Sequence, residues 1–153
     1  MKIKTFGKII RILLPLVILI ITVYFLANQV ETPQPSLCKD CYQGTITKII
    51  DGDTLEVDNI TIRLALIDSP EYYQEGLKEA KEFTSSICPI GSTAMIDVDK
   101  GQITDNYNRI IAVVYCNNRN LNAELIINGH ATIDEEFCNV SEFKNEDWAK
   151  KDD

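Results

Sequence analysis

A mainly β domain with helices (α+β), closed as a five-stranded Greek-key β-barrel of the OB type with two to three α-helices, is the fold predicted for residues 41–153. Three observations carry that prediction. Five short β-branched stretches follow one another with turn signals between them. One amphipathic helical stretch separates the third from the fourth. A second helical stretch, with its own cap and stop, follows the fifth. Five strands with a helix between the third and fourth suggest a small Greek-key barrel.

The elements follow in order. Tyr42–Ile50 (YQGTITKII) is β-branched and partly alternating, and Asp51-Gly52 ends it as a turn signal. Thr54–Val57 is a short second strand, and Asp58-Asn59 turns into a third, Ile60–Ile67. Along a continuous strand, Ile60, Ile62, Leu64 and Leu66 share one face and Thr61, Arg63, Ala65 and Ile67 the other, so Arg63 leaves the main apolar face. Leu77, Ala80, Phe83 and Ile87 recur at helical spacing, which predicts a helix from Gly76 to about Ile87, stopped by Cys88-Pro89-Ile90-Gly91. Thr93–Val98 is the fourth strand, Asp99–Asn108 a polar loop and Arg109–Cys116 the fifth strand. Asn120 is placed to cap a helix over Leu121–Asn128, with Gly129 as its left-handed stop. Ser141–Lys150 reads as a short last helix docked by Phe143 or Trp148.

Ahead of the barrel the composition changes sharply. Residues 1–11 carry Lys2, Lys4, Lys8 and Arg11 and no acid; residues 12–27 (ILLPLVILIITVYFLA) carry no charge; residues 28–40 are a polar, Pro-bearing linker. The apolar run is intermediate in length between a signal-peptide core and the ~20 residues of a spanning helix. Phe25 would make a poor −3 residue for cleavage after Ala27, so the run reads as a retained transmembrane signal anchor, with a cleaved signal and a secreted product as the alternative. The basic flank keeps residues 1–11 cytoplasmic and puts the barrel outside the cell membrane. Cys38, Cys41, Cys88, Cys116 and Cys138 all follow the run, which suits disulfides in an oxidising compartment. Cys38 and Cys41 form half of a zinc pattern, but no second CxxC exists and His130 is the only histidine. Four of the 15 Lys and Arg precede residue 12, and all 23 Asp and Glu follow residue 30, so the outer part carries a net charge of −12. Bulk electrostatics alone argues against a polyanionic partner.

The motifs argue the other way. Asp51-Gly52-Asp53-Thr54, Asp68-Ser69-Pro70-Glu71, Arg63 and Tyr107-Asn108-Arg109 bring carboxylates, arginines and an aromatic into one parts list. Clustered carboxylates bind a hard divalent cation. Paired arginines clamp a phosphate in forked geometry. A remaining glutamate can activate a water. Cation, clamp and base are together what cleavage of a phosphodiester needs. Each piece alone is commonly structural: Asp-Gly as a hairpin turn, Asp68-Ser69-Pro70 as an Asx turn, either arginine as an exposed strand residue.

The stretches TKIIDGDTLEV, IRLALIDSPE, GLKEAKEFT, DKGQITDNYNRIIAVVY and LNAELIINGHA, in that order from Thr45 to about Ile133, resemble the staphylococcal nuclease (thermonuclease) family. The resemblance implies an OB barrel with helices and a Ca2+-dependent nuclease on DNA and RNA with little sequence specificity, expected here as a monomer. It implies that Asp53 and Asp68 bind the metal through carboxylates, Ser69 through its backbone carbonyl, and Asp51 through water in the outer shell. Glu71 would be, or orient, the base; Arg63 and Arg109 would hold the phosphate as the 5′-oxygen leaves; Tyr107 would contact substrate. Asn108 stands where the family often has Gly, and Asn is the next-best residue for a left-handed turn. Asn106 replaces a basic residue, Glu135 falls near a missing tyrosine, and the final helix looks truncated. Tyr72 and Tyr73, in the short Glu71–Gly76 loop, are candidates to replace the lost stacking. Alignment with the family puts Cys88 and Cys116 near the core edge and leads to the pairing Cys88–Cys116, with Cys138 bonded to Cys38 or Cys41. The alternative function is a non-catalytic OB-type module that binds nucleic acid at the cell surface.

Overall fold

The structure, a computed structural model, describes residues 40–150 together with Val17, Ile18, Thr22 and Cys38. The chain divides into two compact units, Met1–Ser36 and Leu37–Asp153. The anchor expected at 12–27 lies outside the described residues apart from Val17, Ile18 and Thr22, which are helical. Among the described residues no helix is long and apolar enough to cross a membrane.

The second unit is a closed barrel. Strands β1 (Tyr42–Ile49), β2 (Thr54–Val57) and β3 (Ile60–Leu64) form an antiparallel meander. The β2–β3 turn has Asp58 and Asn59 at φ 49° and 66°, the left-handed pair that the tightest hairpins require and that Asp and Asn tolerate best. A two-residue strand β4 (Ile67–Asp68) leads into helix α1 (Leu77–Ile87). Strand β5 (Thr93–Val98) lies between β1 and β6 (Ile110–Cys116), antiparallel to both. Parallel pairing of Ile62, Arg63 and Leu64 with Ile110, Ile111 and Ala112 then joins β3 to β6 and closes the barrel. Strand β7 (Arg119–Asn120) folds back antiparallel on the end of β6, and β8 (Thr132–Ile133) pairs with β4 as a separate ribbon. Between them, helix α2 (Leu121–Ile127) starts where Asn120 Oδ1 accepts the Ala123 N–H at 3.1 Å, and Gly129 at φ 70° follows its end.

The core is the barrel interior plugged by the helices. Ile46, Leu55, Ile62, Leu64 and Ile96 meet Leu121 and Leu125 of α2 with essentially no exposure. Burying such side chains contributes about 1.5–3 kcal/mol each.

Three expectations are corrected. The third strand is not continuous over Ile60–Ile67: it breaks after Leu64, and Leu66 adopts φ 59°. A β-strand alternates faces, so Arg63 and Asp68, five positions apart, would point oppositely along an unbroken strand. The break resets the alternation and brings Arg63 Nη2 within 3.9 Å of Asp68 Oδ1. Buried Asn122 holds this turn: its amide donates to the Ala65 and Ala112 carbonyls at 2.9 and 3.4 Å, and its Oδ1 accepts from Val114 N–H at 3.1 Å. The last helix is instead two 3-10 turns, Glu142–Asn145 and Asp147–Ala149, and Phe143 and Trp148 both pack inward. Ser141 caps the first by accepting from Phe143 N–H at 3.2 Å, and Glu146 in extended conformation interrupts the run.

The cysteines provide the third correction. Cys88–Cys116 is bonded as expected, joining the end of α1 to the end of β6. Cys138 is not bonded to Cys38 or Cys41; those two pair with each other and Cys138 is a free thiol. Two cysteines three residues apart close a short local ring, whereas Cys138 sits next to its own turn, its sulfur 3.7 Å from the Asp134 carbonyl.

Mapping of unreduced protein is expected to find Cys38–Cys41, Cys88–Cys116 and one titratable thiol. Replacing Cys88 and Cys116 by alanine is expected to lower stability to urea by about 2–4 kcal/mol. Three or more thiols in the unreduced protein, or a Cys138 cross-link, would contradict this assignment.

Candidate active site

The site is built where three turns meet at one end of the barrel. The first is Asp51–Thr54, between β1 and β2. Asp51 holds it by accepting the Asp53 N–H at 3.2 Å, with Ile50 and Asp51 N–H groups bonded to the Thr54 carbonyl. Gly52 is required by closeness: a Cβ there would lie 2.7 Å from Ser69 Cβ and 2.8 Å from Ala80 Cβ. Its carbonyl accepts the Thr84 hydroxyl of α1 at 2.5 Å. The Asp-Gly-Asp turn is thereby pressed between α1 and the Asp68-Ser69 segment.

Asp53 is the centre of this junction. It is 3% exposed, yet both of its oxygens have partners. Oδ2 accepts Ser69 N–H at 2.7 Å, Oδ1 accepts the Thr54 hydroxyl at 3.0 Å, and Oδ1 is ion-paired with Arg63 Nη1. A buried carboxylate is tolerable only when paired and hydrogen-bonded, as this one is. Arg63 stands across β2–β3 from Thr54 in the strand register, and its guanidinium reaches between Asp53 and Asp68. Arg63 Nη1 is buried without an aligned hydrogen bond, so the cation is held by charge and keeps donor capacity unused.

Arg109 immediately precedes β6 and is organised by Asp105, whose role the motif alone does not reveal. Asp105 accepts Tyr107 N–H and Arg109 N–H through Oδ1, each at 2.9 Å, and Arg109 Nε through Oδ2 at 2.6 Å. Asn108 adopts φ 59°, as its substitution for glycine implies, and its N–H donates to the Asp105 carbonyl. The signal for Asp105 was spacing: an acid two residues before an aromatic and four before an arginine closes an Asx-type turn. Arg109 Nη1 also reaches Thr54 Oγ1 at 3.5 Å, so Thr54 lies between the two arginine systems. Tyr107 is 81% exposed, with the Arg109 guanidinium 5.4 Å from its ring centre.

The candidate residues do not all share one hollow. Arg63, Asp105, Tyr107 and Arg109 line a cavity of about 170 Å³ floored by Leu64 and Ile111. Asp68 and Ser69 line a second, of about 220 Å³, with Gln74 and His130. Glu71 is exposed in the turn after Pro70; its N–H donates to Gln74 Oε1 at 2.6 Å, and among the described residues its carboxylate has no partner. The Asp51, Asp53 and Asp68 carboxylates do not gather within 4.8 Å of one another, because Arg63 occupies the space between Asp53 and Asp68.

The donors nevertheless fit a hard divalent cation. They are all oxygens. Burial, and then the neighbouring charge of Asp53, push the Asp51 carboxyl above its ordinary value, which is the strain that a cation relieves. The Asp68 side chain is 57% exposed and, among the described residues, is held only by its distant contact with Arg63, so it can turn toward an ion.

Asp105 behaves oppositely to Asp51. Burial opposes its charge, but the backbone and side-chain hydrogen bonds of Arg109, with that of Tyr107, outweigh it and hold the carboxyl below its ordinary value of 3.8. A depressed carboxyl stabilises the fold above its unfolded value and loses that contribution as pH falls through the folded one. Asp105→Asn is therefore expected to cost about 1–3 kcal/mol at neutral pH. The difference from the natural chain should shrink as pH falls below 3.8. Urea unfolding across that range measures it; a pH-independent difference would contradict the role assigned to the charge.

Comparison with known proteins places the fold and the motifs together. A family model described as staphylococcal nuclease homologue matches residues 61–152. Endonuclease YncB of Bacillus subtilis is 29% identical over 124 residues, covering 69% of this chain and 56% of that one. The SPbeta prophage-derived endonuclease YokF of the same organism is 29% identical over 109 residues, covering 62% of this chain and 35% of YokF. An uncharacterized endonuclease of Haemophilus influenzae is 35% identical over 91 residues, covering 56% and 49%. The chain thus spans about half, or less, of the length of these curated relatives. With the closed barrel, the Asp53–Arg63 junction and the Asp105–Arg109 turn, the match shows that this chain belongs to the staphylococcal nuclease homologue family.

Proposed function

We propose that the barrel is a calcium-dependent phosphodiesterase that cuts DNA and RNA by attack of water on phosphorus with loss of the 5′-oxygen. The observation that carries this reading is the pair of arginines, Arg63 and Arg109, lining one hollow with Tyr107 while Arg63 also abuts Asp53 and Asp68. Similarity to proteins named endonucleases supports it.

Asp53, Asp68 and the Ser69 carbonyl would hold the cation, with Asp51 acting through water. When bound, the cation supplies positive charge to the phosphoryl oxygens. Arg63 and Arg109 offer guanidinium donors to the same oxygens and stabilise the charge that develops as the P–O5′ bond breaks. Both are preoriented, by Asp53 and Asp105 respectively, so little ordering is left to the moment of reaction. Glu71, whose exposed carboxylate has no partner among the described residues, takes the proton of the attacking water. The 5′-oxygen leaves with the electron pair of the broken P–O5′ bond and takes a proton from solvent, so the products are a 3′-phosphate and a 5′-hydroxyl. Base edges need not be read, so little sequence preference is expected. The anchor of residues 12–27 would keep this monomeric domain on the outer face of the cell membrane; its basic flank and the paired cysteines support that placement.

Digestion of circular single-stranded DNA and of RNA with calcium, then with chelator, tests the proposal. Cleavage should stop on chelation and return with excess calcium. Glu71→Gln should slow cleavage about 10²-fold or more while calcium still binds, and Arg63→Lys should also be poor, because an ammonium makes no forked contact. Chelator-resistant cleavage, or full activity of Glu71→Gln, would refute the mechanism.

Salt gives an independent check. The outer part carries −12, so distant acids repel the substrate while the two arginines attract it. Screening weakens the repulsion as counterion competition weakens the attraction. Initial rates below KM should fall weakly or rise between low and moderate salt. A log–log slope of about −4 or steeper would reveal a basic groove that the net charge conceals.

A further inference from the structure

The hollow of about 220 Å³ beside Asp68 and Ser69 has no task of its own in the chemistry proposed above. Three polar side chains that line it have hydrogen-bonding groups without a partner among the described residues. Ser69 is 4% exposed; its backbone N–H is held by Asp53, but its hydroxyl is unpaired. Gln74 uses Oε1 to accept the Glu71 N–H, which leaves both of its amide hydrogens to donate. His130 rests its ring against Phe83 of α1, centres 4.3 Å apart, and neither ring nitrogen is bonded. Its backbone is fixed as well, by its N–H donating to the Leu125 carbonyl at 2.9 Å just after Gly129. In either protonation state such an imidazole offers at least one N–H donor. Buried polar groups are normally hydrogen-bonded, so an unpaired, nearly buried hydroxyl beside a fixed, unpaired imidazole points to a ligand.

The lining and the position of the hollow say which ligand. No lysine or arginine lines it, and Asp68 stands at its edge, so it suits an uncharged, oxygen-bearing group better than a phosphate. Hydroxyl, amide and imidazole together match the hydroxyl and ring oxygens of a pentose. A phosphodiester carries a nucleoside on each side of phosphorus. Attack in line puts the departing 5′-oxygen opposite the attacking water. On the proposed reading Glu71 activates that water from the turn between Pro70 and Gln74, two residues that line this hollow. The departing nucleoside then lies toward the other hollow, that of Arg109 and Tyr107. The nucleoside that keeps its 3′-oxygen on phosphorus is left with the hollow of Ser69, Gln74 and His130.

We infer that this hollow binds the sugar of the retained nucleotide, with His130, Gln74 and the Ser69 hydroxyl as its hydrogen-bonding groups. The inference rests on the nuclease reading above for its substrate and orientation, and it makes its own claim about binding.

His130 is the only histidine, so its ring C–H protons give a single imidazole signal by NMR. With calcium present, thymidine 3′-phosphate, which matches the retained product, should shift that signal saturably. Thymidine 5′-phosphate and inorganic phosphate should leave it nearly in place. Kinetics give the second arm. His130→Phe keeps a ring against Phe83 and removes the N–H, whereas His130→Gln keeps a donor. On the dinucleotide TpT, His130→Phe should raise KM about two- to tenfold, the loss of one hydrogen bond, with kcat nearly unchanged. His130→Gln should recover part of that loss. On thymidine 5′-(p-nitrophenyl phosphate), where a nitrophenyl group replaces the retained nucleoside, the KM penalty should disappear. Circular dichroism verifies that both variants fold, and the titration of the natural chain decides even where they do not. If the natural chain cuts nothing but the 3′-phosphate still shifts the His130 signal selectively, the sugar site stands and the catalytic reading falls. No shift with the 3′-phosphate, an equal shift with inorganic phosphate, or an equal KM penalty on both substrates would each overturn the inference, while continued cleavage would leave the nuclease reading in place.

Discussion

The Asp53 carboxylate is the constraint on which the rest of the site depends. It is buried, and a buried charge must be compensated by partners that do not move. Its partners come from three different segments: Thr54 at the start of β2, Arg63 within β3 and Ser69 just after β4. Satisfying one carboxylate therefore fixes the relative positions of the Asp-Gly-Asp turn, the Arg63 guanidinium and the Asp68-Ser69 segment. Gly52 makes the approach possible, and α1 braces it from behind through Thr84. Removing one partner from such a buried pair typically costs about 3–5 kcal/mol, because it strands the other charge. The same contacts thus serve stability and positioning.

The second arginine repeats the arrangement with different parts. Arg109 is held by Asp105 from within its own turn, and Thr54 links the two systems through hydrogen bonds to Asp53 and from Arg109. Each cation is thereby matched with a local acid before any substrate arrives. If the barrel cuts a phosphodiester as proposed, an acidic domain can still keep a phosphate site, because the orientation of a few fixed charges decides the local field and distant acids act weakly across screened solvent. The arrangement also places Arg63 as a resident counter-ion between Asp53 and Asp68, so that a cation entering there would release the guanidinium toward phosphate.

Much of the fold was legible because local signals and periodicity agreed. The Asp58-Asn59 turn, the Asn120 cap, the Gly129 stop and the left-handed Asn108 all announce themselves by residue type, since few residues tolerate those conformations. The break at Leu66 did not. A leucine at positive φ is unfavourable locally and is held there by tertiary contacts, above all the buried Asn122 amide on the Ala65 carbonyl, which no pattern in β3 reveals. The convergence of Arg63 and Asp68 depends on that break, so strand alternation alone would have kept them apart. The last segment, Ser141–Lys150, read as one short helix docked by Phe143 or Trp148, yet the Ser141 cap and the extended Glu146 divide it into 3-10 turns. Asp105 was visible as part of a motif, but its role in orienting Arg109 became evident only with the hydrogen bonds. Cys138 shows the limit of counting: an odd cysteine fixes that one remains, whereas only geometry tells which.

On the proposed reading, Asp53 joins cation, arginine and turn at one carboxylate. Calcium titrations followed by thermal unfolding, on the natural chain and on Asp53→Asn, test it most directly. A ligand that binds only the folded state at about 100 times its Kd adds about 2.7 kcal/mol, enough to raise Tm by several degrees. The account expects that rise in the natural chain and its loss in Asp53→Asn, whose starting Tm should also be lower because Arg63 is left unpaired. An Asp53→Asn variant that keeps the full calcium-dependent rise would contradict it.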